Sequence, residues 1–329
     1  MTCRACLMMA VLVPAAARCS PPLRETVDYV RTIPSVREFT KPTGFFAKLL
    51  NWVAGPPEGK PELVRPYSIA HDSTGRLLVA DPGERGVHIY DFEKRKYQFL
   101  RGPKAQPLVS PIDVACDAKD NIYVSDSTRA QLYVFDVRGR FLRTIGARSG
   151  DAQLLRPTGM ALDRAIGRLY VTDTLRHQVL AFSLDGRLIR AIGRRGSQEG
   201  EFNFPTALTL SNGTLYVVDS MNFRVQQFTT DGRFLGFFGR PGDQSGTLNR
   251  PKGIAADTYG HLYLVDALFE TVQVFDPAGR LLYYFGSSGQ RPGQFQLPAG
   301  IAIDDRNVIY VADSMNHRVQ VFRYWRQGE

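Results

Sequence analysis

A unit of about 46 residues recurs six times from Pro66 onward, and a chain built this way is restricted to a repeat architecture. The copies align on six prolines: Pro66, Pro111, Pro157, Pro205, Pro251 and Pro298. Each is followed by an aspartate: Asp81, Asp126, Asp173, Asp219, Asp266 and Asp313. The gap is 15 positions in four copies, 16 in the third and 14 in the fourth. Within the fifth copy, four short runs rich in Val, Leu, Tyr and Phe lie at 253–257, 262–266, 272–276 and 281–285. The turns between them, such as Asp257-Thr-Tyr-Gly260 and Asp276-Pro-Ala-Gly279, begin with Asp and end with Gly, as type I turns do. No segment of the repeats sustains a 3.6-residue apolar period. Four antiparallel strands per copy, six times over, predict an all-β, six-bladed β-propeller.

The best-kept copies carry a more specific pattern. Pro298-Ala-Gly-Ile-Ala-Ile-Asp304 leads to Ile309-Tyr-Val-Ala-Asp313-Ser-Met-Asn-His-Arg-Val-Gln-Val-Phe322, and Asp219-Ser-Met-Asn-Phe-Arg-Val-Gln-Gln-Phe228 repeats the second half. These segments resemble the NHL repeat, over roughly residues 63–322. The resemblance implies the propeller fold; the fold hosts many activities, so function must be argued from a site. Copies one and two depart most, since Asp81-Pro-Gly-Glu-Arg-Gly-Val87 lacks the Asn-x-Arg element.

The sixth copy has only three strands before the sequence runs out near Phe322. The stretch 26–33, Thr-Val-Asp-Tyr-Val-Arg-Thr-Ile, is expected to supply its outer strand, closing the ring and covering an edge. Residues 63–329 are therefore assigned to the propeller and 18–62 to a lead-in. Within that lead-in, residues 45–53 place apolar side chains on one face of a short helix expected to pack on the propeller.

Residues 1–17 are read as a signal peptide, because the apolar run from Ala5 to Ala17 follows Arg4 and ends in small residues. Two exits remain open: ordinary cleavage after Ala15-Ala16-Ala17, or cleavage at residue 18 with lipidation of Cys19, which resembles a bacterial lipoprotein cysteine except that Arg18 precedes it. The chain is expected to be exported, either free in the periplasm or membrane-anchored through Cys19. Cys3 and Cys6 then leave with the signal, and Cys116 is expected in the core.

The formal net charge is +9, compatible with nucleic acid, acidic lipid or anionic polymer. Export and the lack of a run of five or six basic residues argue against nucleic acid. Membrane contact is expected only through the lipid on Cys19, and the ring is expected to be a monomer.

The six aspartates suggest a carboxylate ring for a metal. A residue present in every copy more simply serves a need of every blade, accepting backbone N–H groups of the following turn. Asp219 and Asp313 are also spaced to pair with Arg224 and Arg318. His71, His88, His177, His261 and His317 are scattered, whereas a metal needs three or four converging donors. Six-bladed relatives include zinc-dependent amidating lyases and calcium-dependent lactonases, but neither ligand set can be placed here residue by residue. No G-x-S-x-G, H-E-x-x-H or P-loop element occurs. No catalytic residue, metal or cofactor is assigned.

The loops between second and third strands share a face with the connections between blades. Residues there that break the repeat are the binding candidates: Arg129, Arg176, His177, Met221, Asn222, Phe223, Lys252, Phe269, Glu270, Met315, Asn316 and His317. The expected function is non-catalytic binding of a protein or an anionic envelope polymer through this face; the alternative is a metal-dependent lyase or lactonase with its site in the channel.

Overall fold

The computed structural model describes residues 25–33, 62–146 and 150–326. The signal segment, Cys19 and the helix expected at 45–53 lie outside the described residues. Six four-stranded antiparallel sheets form the blades. The first strand is β1 (Glu25–Thr32). Blade one is β2 (Ser68–His71), β3 (Leu77–Asp81), β4 (Gly86–Asp91) and β5 (Lys96–Leu100). Blade two is β6 (Pro111–Cys116), β7 (Ile122–Asp126), β8 (Gln131–Phe135) and β9 (Phe141–Ile145). Blade three is β10 (Pro157–Asp163), β11 (Arg168–Asp173), β12 (Gln178–Ser183) and β13 (Leu188–Ile192). Blade four is β14 (Pro205–Ser211), β15 (Thr214–Asp219), β16 (Arg224–Thr229) and β17 (Phe234–Phe238). Blade five is β18 (Pro251–Ala256), β19 (Leu262–Asp266), β20 (Thr271–Phe275) and β21 (Leu281–Phe285). Blade six is β22 (Ile301–Ile303), β23 (Val308–Asp313) and β24 (Arg318–Arg326), completed by β1.

The strand missing from the last copy is the one expected. β1 pairs antiparallel with β24 from Glu25↔Arg326 to Thr32↔Gln320, with an irregularity between Tyr29 and Arg31. Ile33 then donates its N–H to Val319 O at 2.9 Å and is buried. Tyr29 stacks edge-on against Phe322, with ring centroids 5.8 Å apart. The N-terminal strand thus fastens the C-terminal blade and leaves no unpaired edge on β24.

Second strands such as LLVAD in β3 and LYLVD in β19 are buried along their whole length, because each sheet is covered on both faces by its neighbours. The core accordingly divides into six wedges, each drawn from two adjacent blades. One joins Val87, Leu100 and Val114 with Tyr133, across blades one and two. The closing wedge joins Ile69, Leu77 and Val79 of blade one with Ala312, Val319 and Val321 of blade six, and Ile33 completes it. Inner strands approach so closely that side chains are excluded. A Cβ on Gly300 would lie 2.3 Å from Tyr67 O, and one on Gly253 2.6 Å from Ala299 O.

All six repeat aspartates are fully buried. Three accept N–H groups of the following turn as expected, Asp81 from Gly83 at 2.8 Å, Asp126 from Arg129 at 2.9 Å and Asp266 from Leu268 at 3.2 Å. Asp219 and Asp313 make no such bond and take the Asn222 and Asn316 side chains instead. The expected pairs with arginine form, Asp219 with Arg224 and Asp313 with Arg318, each at 2.8 Å. The same carboxylates also reach back 16 to 18 residues to the segment leading into their own blade's first strand. Asp81 takes the N–H of Val64 at 2.7 Å, Asp266 that of Asn249 at 2.7 Å, and Asp313 that of Gln296 at 2.8 Å. In blades two, three, four and six the residue after the aspartate carries a hydroxyl that crosses to the next blade's marker proline; Pro82 and Ala267 stand there in blades one and five. Ser127 donates to Pro157 O, Thr174 to Pro205 O, Ser220 to Pro251 O and, closing the circle, Ser314 to Pro66 O, over 2.6–2.9 Å.

Two stability measurements follow. Ile33→Ala should cost about 2–5 kcal/mol in urea unfolding, the range for a core isoleucine, while Val30→Ala, outward on the same strand, should stay within about 0.5 kcal/mol; an unchanged midpoint for Ile33→Ala would show that β1 is not part of the cooperative ring. A double-mutant cycle on Asp313→Ala and Arg318→Met should return a coupling of about 0.5–3 kcal/mol, since removing the acid alone leaves a mostly buried guanidinium without its counter-charge. Additive effects would mean that the pair contributes nothing.

Candidate ligand face

The position four residues after each repeat aspartate has a left-handed backbone in all six copies: Arg85, Ala130, His177, Phe223, Glu270 and His317 have φ between 53° and 57°. Left-handed φ in non-glycine residues is costly and usually local to function, but a strain repeated in every blade belongs to the architecture. In blades three to six it turns the side chain toward the next blade. His177 accepts the N–H of Phe204 on Nδ1 at 3.1 Å, with its ring 4.5 Å from the Phe204 ring. Glu270 accepts the N–H of Leu297 at 3.1 Å. His317 bonds through Nδ1 to the carbonyl of Val64, adding a second side-chain contact across the closing seam. Phe223 packs at the edge of the wedge between blades four and five.

Several other candidates are also engaged within the fold. Asn222 Nδ2 donates to Gly196 O and Asp219, and Asn316 repeats this with Gly289 O and Asp313, all at 2.8–2.9 Å. Arg176 donates to Asp151 O and Gln153 O at 3.0 and 2.6 Å. Arg129 is exposed, with a long contact of 3.4 Å to Pro107 O. Phe269 is half-buried.

Met221 and Met315 remain exposed, and the structure places them in a pattern. They occupy the second position after the repeat aspartate, as do Leu175 and Leu268. On four consecutive blades this position presents a large apolar side chain 45–55% exposed. Blades one and two carry Gly83 and Thr128 there, so the crown is an arc.

Inside the arc lies the mouth of the central channel, about 970 Å³ in volume and lined by the six inner strands. Lys252 lines this mouth, its Nζ 5.0 Å from the centre of the Tyr67 ring. Burial, with Arg250 and Arg65 nearby, brings its amine down to about 8. Deeper in the channel, Asp113 accepts hydrogen bonds from the Ser68 hydroxyl and from the N–H groups of Val114 and Met160, tying blades one, two and three. Burial pushes its carboxyl up to about 6. Toward the other end, Cys116 is buried and its thiol is pushed up to about 12, so it is a poor nucleophile at neutral pH. His71 packs at a tilt against Tyr310, with ring centroids 4.3 Å apart, and is held toward its neutral form by burial. Among the described residues, no group of three His, Cys, Asp or Glu is arranged to hold a metal ion.

Three residues beside the mouth escaped the sequence reading: Arg65, Arg156 and Arg250, each immediately before a marker proline in copies one, three and five. Aligning the copies shows the alternation; only the ring shows that the three charges converge on one group, the Tyr67 phenol at the channel wall.

Comparison with known proteins matches the NHL repeat model to residues 295–322 and a model described as a 6-bladed beta-propeller to residues 103–164 and 160–238. No curated protein matches the sequence. Among solved structures, the chain is similar to virginiamycin B lyase from Staphylococcus aureus (14% identity, TM-score 0.59, covering 80% of this chain and 96% of that one). It is similar to a gluconolactonase from Xanthomonas campestris (18% identity, TM-score 0.63, covering 80% and 87%). It is also similar to an auxiliary nutrient binding protein from Bacteroides thetaiotaomicron (14% identity, TM-score 0.63, covering 80% and 70%). At these identities the likeness is one of fold. Six four-stranded blades, the Asp-Ser-x-Asn-x-Arg copies and the two family matches together show a six-bladed β-propeller that carries the NHL repeat.

Proposed function

We propose that this propeller is a non-catalytic binding module that docks a protein partner on the face carrying the inter-blade connections. The observation that supports this reading is the apolar arc of Leu175, Met221, Leu268 and Met315, exposed at one equivalent position on consecutive blades. An exposed apolar patch of this kind is a cost to solubility unless something covers it. Unbranched methionines let such a surface adapt to its partner. The arc is aliphatic rather than aromatic, which favours protein side chains over the sugar rings of an envelope polymer. Following the signal-like first 17 residues, the partner is sought in the cell envelope.

The names of the structural relatives cover a lyase, a lactonase and a nutrient-binding protein, so fold alone leaves catalysis open. The metal-dependent alternative lacks a ligand set among the described residues.

The experiment is capture from an envelope extract on the immobilised protein. Replacing Leu175, Met221, Leu268 and Met315 together by Ser should abolish capture, with unfolding free energy changed by no more than about 0.5 kcal/mol per site, as for surface positions. Replacing Leu142, Ile189, Leu235 and Leu282, comparably exposed on the outer strands, should leave capture intact. Equal loss in both variants, or capture of polysaccharide instead of protein, would overturn the reading. So would stoichiometric zinc or calcium in the purified protein together with activity on lactones.

A further inference from the structure

The channel mouth carries cations that the fold does not neutralise. Arg76, Arg140, Arg194, Arg224, Arg280 and Arg318 each lie against a carboxylate, at 2.5–2.9 Å. By contrast, the exposed side chains of Arg65, Arg156 and Arg250 have no hydrogen-bond or ion-pair partner among the described residues, and neither has the amine of Lys252 apart from the face of Tyr67. The three arginines come from blades one, three and five, so sixfold closure spaces them evenly about the opening. Each starts from a fixed backbone point, because its own N–H is held by a buried repeat aspartate: Arg65 by Asp81 at 3.0 Å, Arg156 by Asp173 at 2.8 Å, Arg250 by Asp266 at 3.0 Å.

All three charges act on one group. The phenol of Tyr67 lies in the field of Arg65, Arg156 and Arg250, and of a single acid, Asp113. That acid is already committed to the Ser68 hydroxyl and two backbone N–H groups. The Tyr67 hydroxyl itself has no partner among the described residues. Cations gathered at the mouth of a low-dielectric channel focus their potential into it. Guanidinium groups match the planar, two-oxygen edge of carboxylate and phosphate.

We propose that this mouth is a binding site for a compact polyanion, a molecule bearing two or three carboxylate or phosphate groups, held by Arg65, Arg156, Arg250 and Lys252 with the Tyr67 hydroxyl as a further donor. Tyr67 and Lys252 also line the channel, whose volume suits a small molecule, while the three arginines stand outside that lining. The site is independent of the apolar arc.

Titration calorimetry of the full chain at low ionic strength, with citrate and with pyrophosphate, tests it; the two probes distinguish carboxylate from phosphate preference. Either anion should bind and raise the unfolding temperature. Arg65→Gln/Arg156→Gln/Arg250→Gln should weaken binding at least about tenfold. Arg138→Gln/Arg187→Gln/Arg233→Gln removes the same charge from exposed turns on the opposite face and should change binding less than about twofold. Lys252 faces Tyr67, Arg65 and Arg250, and its amine is brought down to about 8. Citrate binding should therefore weaken several-fold between about pH 7 and 9.5, and Lys252→Gln should flatten that dependence. Absence of binding by both anions, or equal loss in the two triple variants, would overturn the proposal. The variant lacking the apolar arc should bind the anion as the parent does, so the two readings fail separately.

Discussion

A buried carboxylate at the end of each second strand is the interaction on which the rest of the molecule depends. In every blade it joins the strand that carries it to the segment leading into the first strand, and in blades one, two and five it also holds backbone of the turn that follows. Burying a charge is expensive, and here it is offset by several N–H donors at once, with an arginine added in blades four and six. In blades two, three, four and six the neighbouring hydroxyl then carries the connection to the next blade. Sheet, turn and ring closure are thereby coupled through one residue pair, which is why the unit tolerates such divergence elsewhere. In copy one, His88 stands where Gln226, Gln273 and Gln320 stand in others, with Nε2 3.6 Å from Asp81.

The same economy limits what is left for function. The loop face contains many polar side chains, but in blades three to six the left-handed position after the aspartate sends its side chain toward the adjacent blade, and the asparagines hold connections. What remains free is simple: an arc of aliphatic side chains, and inside it a basic opening. A surface of this composition suits recognition, with apolar contact supplying area and the cations supplying selectivity by charge.

Much of this was legible in the residues. The period, the turn chemistry and the aspartate–arginine spacing are local, so the propeller, the turn hydrogen bonds and both ion pairs could be read directly. The closing strand could be inferred because the last copy lacked one and residues 26–33 had the right pattern. His177, Glu270 and His317 were harder. They differ chemically from copy to copy and so looked like departures from the repeat, while the feature they share is a backbone angle that residue identity does not display. The reach of each aspartate back to the preceding connection was also hidden, because that distance is short only after the first two strands have paired.

The sequence by itself determined the number of blades, the strand order within them and the structural duty of the repeated aspartate, since each follows from local pattern and its repetition. Only the tertiary structure decided which of the non-repeating residues meet. Arg65, Arg156 and Arg250 are more than 90 positions apart in succession, and Lys252 and Tyr67 lie on blades two apart around the ring. Closure of six blades about one axis brings their charges to a single opening, and a charge cluster is a property of distance in space, not of spacing along the chain.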